Sequence, residues 1–269
     1  MTVESAGARS RSEKRELLRA ILMEKIGRTR TAPASFAQER LWFLDRLWPG
    51  SASYHLTEAQ RLSGGLDAEA LERALGEVVR RHEALRTTFA ENDGAPLQVI
   101  APFEGFTLRR EDLSALPADE REAEVRRRAA EDATRRFDLS AGPLFRATLL
   151  KLGDDEHVLL LCLHHIVGDA WSMGVLQRET AALYAAFRAG QPSPLAAPAL
   201  QFADHATRER ERMQGPALER ELAYWRERLA GAPALLELPA DRPRPAVPTH
   251  RGAVERIDLA PELLERLRA

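Results

Sequence analysis

Residues Leu144 to Val167 read LFRATLLKLGDDEHVLLLCLHHIV. Two apolar runs flank Gly153-Asp154-Asp155, residues that favour a tight turn, so the segment reads as a β-hairpin. Its return arm is apolar at nearly every position instead of every second one. A strand of that kind is covered on both faces and belongs at the centre of a sheet.

The flanking segments carry the helices that such a sheet needs. Upstream, Ser35 is a good N-cap and Gln38, three residues on, completes a capping box. Leu41, Trp42, Leu44 and Leu47 then form a broad apolar face that ends at Pro49-Gly50. A second helix opens at Asp67, with the stripe Leu71, Leu75, Val78 and Val79. Leu85, Thr87 and Phe89 alternate with Arg86 and Thr88, and Asn92-Asp93-Gly94 makes a turn, so 85–100 reads as another hairpin. Residues 118–135 form a charged, exposed helix. Downstream, a helix over 173–189 closes at Gly190, and QPSPLAAPA (191–199) is a stiff, extended linker. The segment from Ala203 to Gly231 is helical, a Pro-rich extended run follows, and APELLERLRA begins an amphipathic helix. Periodicity therefore supports an α+β, or mixed α/β, sandwich. Residues 1–29 form a lead-in with a docking or first helix over 13–26, 30–190 a first lobe, 191–199 the linker, and 200–269 the opening of a second, incomplete lobe.

Composition narrows the function. The 269 residues are 44% hydrophobic, and 39 Lys+Arg against 41 Asp+Glu leave a net charge of -2. High apolar content with low net charge excludes global disorder, and the missing basic surplus disfavours nucleic acid and acidic membranes as partners. Only Lys14, Lys25 and Lys151 are Lys, a bias towards Arg. The single Cys162 permits no intrachain disulfide. No apolar run approaches the roughly 18 residues that cross a bilayer, and the N-terminus lacks a signal-peptide core. A cytoplasmic setting is expected.

Chemistry concentrates in LHHIVGDAWS (163–172), where the covered strand ends and a loop leads into a helix. Neighbours on a strand point to opposite faces, so His164 and His165 do not readily share a metal ion, and no third ligand lies at a recognisable spacing. There is no G-x-S-x-G elbow, and Cys162 lies inside an apolar run as a small hydrophobe. A bare HH doublet reads as two satisfied core histidines. The whole pattern HHxxxD favours a different division: one His in a cleft, one in the interior, and Asp169 paired with an Arg to hold the loop.

HHIVGDAWS resembles the HHxxxDG active-site motif of the condensation domains of nonribosomal peptide synthetases, a motif shared more loosely with chloramphenicol acetyltransferase-like acyltransferases. SFAQERLWFLDRL (35–47), RHEALRTTF (81–89), FDLSAGPLFRATLL (137–150), LQFADHA (200–206) and YWRERLAGAP…LELPADRPRP resemble the same family in the same order. The likeness covers about residues 30–269. It implies two acetyltransferase-like lobes with a cleft between them. There the amino group of an acceptor aminoacyl thioester attacks an upstream donor thioester, both held on phosphopantetheinyl carrier domains, with a downstream adenylation domain in the same chain. The domain itself binds no cofactor and no metal.

Residue by residue, His165 matches the catalytic His, His164 a structural His, and Asp169 the structural Asp, with Arg86 expected as its partner and Arg81 as the alternative. Ala170, Trp171 and Ser172 are expected at the substrate channel, and His82 and Glu83 read as structural. Ala170 departs from the family's Gly. A left-handed conformation there would cost roughly 1–2 kcal/mol, and a channel position would be narrowed by the methyl group. Intact His164 and His165 argue against the heterocyclisation type, and W-S-M differs from the V-S-W of epimerisation domains. The resemblance thus implies peptide-bond formation. A related acyltransferase using another nucleophile, and a degenerate domain that recruits a partner, stay open. The 269 residues by themselves are expected not to catalyse condensation.

Overall fold

The computed structural model describes residues 29–236, 238–243, 255 and 257–268. The helix expected over 13–26 lies outside them, as does much of the Pro-rich run. In chain order the elements begin with β1 (Arg30–Pro33), α1 (Phe36–Leu47), β2 (His55–Ser63), α2 (Ala68–Arg81), a 3-10 turn (Glu83–Arg86), β3 (Thr87–Asn92) and β4 (Ala95–Ile100). Next come β5 (Arg109–Asp112), α3 (Ala118–Thr134), β6 (Phe145–Gly153), β7 (Glu156–His164) and α4 (Ala170–Arg188). The last are α5 (Phe202–Arg212), α6 (Gly215–Arg228) and α7 (Pro261–Arg268).

The hairpin read from Leu144 to Val167 is β6 and β7, and β7 lies inside a sheet of order β2-β7-β6-β5. Every β7 residue from His157 to His164 is buried. Its two faces have different covers. Leu159, Leu161 and Leu163 meet the α2 stripe and Met173, Leu176 and Leu183 of α4. Val158 and Leu160, with Leu150 and Leu152 of β6, meet Val125 of α3. Each such side chain contributes roughly 1.5–3 kcal/mol by leaving water, so β7 is the best-anchored strand of the molecule. β5 runs parallel to β6 while the other pairs are antiparallel, which makes the sheet mixed.

The second sheet, β1-β4-β3, contains the expected hairpin. Asp93 and Gly94 both take positive φ (51° and 80°), the backbone of a type I′ turn. Three strands leave no signal in the sequence pattern. β1 pairs with β4 although its local sequence looks like a break, and Pro33 sits at its end, where a missing N–H costs little. β2 is an edge strand whose covered row mixes Leu56 and Leu62 with Glu58 and Gln60. Glu58 is held there by Gln177 Nε2 of α4, at 2.6 Å. β5 has only four residues and takes its place from pairing with β6.

The chain divides into two compact units, one ending at Ala223 and the other starting at Tyr224. The stretch 191–199 forms no helix or strand, and the boundary between the units falls later, after Ala223. α5 returns to the first unit: Gln201 accepts from Glu83 N (3.0 Å) and donates to Arg81 O (2.9 Å), while Arg210 Nε donates to Ala34 O (2.8 Å). In the second unit, α7 carries Leu263, Leu264 and Leu267. Among the described residues no helix is long and apolar enough to cross a membrane.

Candidate active site

β7 ends at His164, and the chain then runs through Ile166–Asp169 into α4. His164 is 2% exposed. Its Nδ1 accepts from Ile166 N at 3.2 Å, which leaves the proton of the neutral ring on Nε2. His55 and Phe137 stand edge-on to it, with ring centroids 6.0 and 6.2 Å away. Burial, with His55 and His165 nearby, pushes its pKa down to about 4, so the imidazole is uncharged near neutral pH.

His165 faces the other way. Its backbone N–H donates to Tyr54 O at 2.8 Å, which fixes the main chain, while its exposed imidazole makes no hydrogen bond among the described residues. The ring lines a cleft of about 420 Å³ whose walls are largely aliphatic, including Leu41, Val78, Leu85 and Val175. A base free of protein partners at the rim of an apolar cleft can orient or accept a proton from a bound group.

The loop after His165 is braced from α1. The expected capping box forms: Ser35 Oγ accepts from Gln38 N (3.1 Å) and Gln38 Oε1 from Ser35 N (3.0 Å). Gln38 has a second task, which its capping role conceals. Its Nε2 donates to Ile166 O (3.2 Å) and to Gln98 Oε1 (3.3 Å), tying the start of α1 to the loop.

Asp169 is exposed and caps α4: Oδ1 accepts from Ser172 N (2.8 Å) and Ser172 Oγ (2.7 Å). Those two bonds hold its carboxyl below the usual carboxylate range. The expected Arg86–Asp169 ion pair is not formed. Arg86 closes the 3-10 turn instead of lying on a strand, donates from Nη1 to Ala101 O, and has Glu83 at 3.8 Å. Burial lowers its pKa. The alternation read from Leu85 starts two residues later, at Thr87, so Arg86 has no strand face from which to reach Asp169. Arg81, the alternative, is bound to Glu179.

Ala170 is the first residue of α4 and has no positive φ, which removes the left-handed reading. It is exposed and lies outside the cleft lining, whereas Trp171, 79% exposed, and Ser172 line the cleft. Cys162 is buried, and burial pushes its thiol up to about 11, so it remains protonated. Among the described residues no group of three or more His, Cys, Asp or Glu is arranged to hold a metal ion.

His82 also reaches this cleft. Its Nε2 lies 2.8 Å from Glu179 Oε2. The partner comes from α4, 97 residues further on, a pairing that no local pattern could reveal.

A family model described as Condensation domain matches residues 28–269. One of the linear gramicidin synthase subunits of Brevibacillus parabrevis is 49% identical over 251 residues, 93% of this chain and 3% of that protein. Phosphinothricin tripeptide synthetase PhsC of Streptomyces viridochromogenes is 46% identical over 236 residues, 88% of this chain and 22% of its own length. Among solved structures, the teicoplanin-biosynthesis X-domain in its complex with OxyB matches with TM-score 0.73 and 37% identity, covering 82% of this chain and 48% of that one. The first condensation domain of the CDA synthetase matches with TM-score 0.66 and 26% identity, over 76% and 52%. The chain therefore spans a small part of these synthetases and about half of these solved chains.

Proposed function

The chain belongs to the Condensation domain family, and on that premise we propose that it forms peptide bonds in nonribosomal peptide synthesis. The amino group of an acceptor aminoacyl thioester attacks the carbonyl of an upstream donor thioester, each carried on the phosphopantetheine arm of a carrier domain. The observation that carries this reading is the division of labour at the end of β7. One imidazole is locked in the interior, and the next stands without a partner in the cleft. An α-amino group has a pKa of about 8, so part of it is already deprotonated near neutral pH. His165 then orients the amine and stabilises the positive charge that develops on nitrogen as the C–N bond forms. Asp169 acts through the loop, as the cap that sets where α4 begins.

The test uses a full-length synthetase module with donor and acceptor carriers loaded. The expected product is a dipeptidyl thioester on the acceptor carrier, followed by mass spectrometry of the carrier. Transfer of the donor acyl group to a soluble amine or alcohol, with none reaching the carrier, would support the related acyltransferase instead. A second reading, a domain that recruits a partner protein, draws support from the likeness to the X-domain solved with OxyB. It calls for stable binding of a separate partner protein and no condensation in the same assay.

A further inference from the structure

Two imidazoles line the cleft, and they are held differently. His165 has no side-chain partner among the described residues, whereas His82 is bound to a carboxylate that is itself clamped. Arg81 grips Glu179 with two nitrogens, Nε to Oε2 at 3.1 Å and Nη2 to Oε1 at 3.4 Å. The Arg81 and Glu179 side chains are 6% and 18% exposed. Burial would raise the Glu179 carboxyl, but the bonds from Arg81 and His82 outweigh it and leave the group below its usual range. Glu179 is therefore an anion that only accepts, so His82 Nε2 must carry the proton in that bond. In the neutral ring the tautomer is thereby fixed and Nδ1 is the acceptor, with no hydrogen-bond partner among the described residues. A carboxylate that orients an imidazole also stabilises the imidazolium when the ring takes a second proton.

We propose that His82, oriented by Glu179, is a second proton-accepting residue of this cleft, taking a proton at Nδ1 from the attacking amine. The inference rests on the condensation reading. In that reaction the C–N bond forms and the C–S bond breaks, with the sulfur leaving on its electron pair. The amine nitrogen loses one proton. His82 Nδ1 receives it, and the imidazolium passes it to the departing thiolate, so the free phosphopantetheine thiol is regenerated and His82 returns to neutral. His165 keeps its place beside the amine, and Arg81 is a positioning residue that acts through Glu179.

The decisive variant is His82→Gln, whose amide N–H can still donate to Glu179 while the basic nitrogen is gone. In the full module with loaded carriers, kcat falls by about 10²-fold or more. KM for the acceptor carrier and the melting temperature stay close to wild type. Glu179→Gln, which loses the anion and keeps an acceptor for His82, also lowers kcat. A His82→Gln module that condenses at the wild-type rate would overturn the assignment, and so would a loss of rate matched by a loss of melting temperature. If His82→Gln does not fold, Glu179→Gln decides: full activity there rules out an oriented imidazole. Wild type and His165→Ala are run alongside. A wild-type module that makes no dipeptide contradicts the condensation reading itself, whereas an active wild type with an active His82→Gln contradicts only the role of His82.

Discussion

At the end of β7 two histidines adjacent in sequence occupy opposite environments. His164 is packed against His55 and Phe137 with its Nδ1 bonded to the backbone, and His165 stands in an open aliphatic cleft. Strand alternation separates them, and the consequence is mechanical. The buried face anchors the backbone, and the anchored backbone aims the exposed ring. One imidazole is thus held in place on the foundation that its neighbour provides.

The largest expected effect that sharpens this contrast is on acid stability. An unfolded His titrates near 6.5, and His164 in the fold titrates at about 4. Between those values the unfolded chain binds a proton that the fold refuses. Stability is therefore complete above about pH 6.5, drops as the pH falls towards 4, and loses nothing further from this group below that. The difference corresponds to about 3 kcal/mol. His55 and His157, also lowered mainly by burial, act in the same direction. Urea unfolding at pH 7 and 4.5 measures it. His164→Asn, which keeps an acceptor near the Nδ1 position, should make the drop smaller by His164's share, and an unchanged drop would mean that His164 is not the buried base described here.

A smaller effect belongs to the cleft side. Asp169→Ala removes the α4 cap and costs about 0.5–2 kcal/mol. Breaking a buried ion pair would cost roughly 3–5 kcal/mol, so chemical denaturation tells the two apart, and a loss in the larger range would contradict the cap. Smallest is Ala170→Gly. At an exposed first helical position the cost is under about 1 kcal/mol, with no gain in condensation rate. A rate increase would show that the methyl group obstructs substrate.

How far these features are legible in the sequence follows the length scale of the physics behind them. The β6–β7 hairpin, the Ser35–Gln38 box and the α2 stripe are local patterns, and each stands where its pattern puts it. β1 and β5 are too short for a period and form because β4 and β6 offer them a ladder. β2 is hidden by Glu58 and Gln60, whose polarity is satisfied by Gln177 on a distant helix and by each other. In the candidate site, HHxxxD singles out the side chains to look at but not the groups that hold them. Asp169 finds its partner three residues away in Ser172, while Arg86 turns to Ala101. Gln38 and Glu179 meet the site only through tertiary contacts, across 128 and 97 residues.

That His165 serves chemistry while His164 serves the fold is tested most directly by one variant. His165→Ala is introduced into the full module, the carriers are loaded, and dipeptidyl thioester formation is timed beside the melting temperature. The expected rate is lower by about 10²–10⁴-fold, with carrier loading intact and melting unchanged. Product formation near the wild-type rate, or a loss explained by unfolding, would contradict that division of roles.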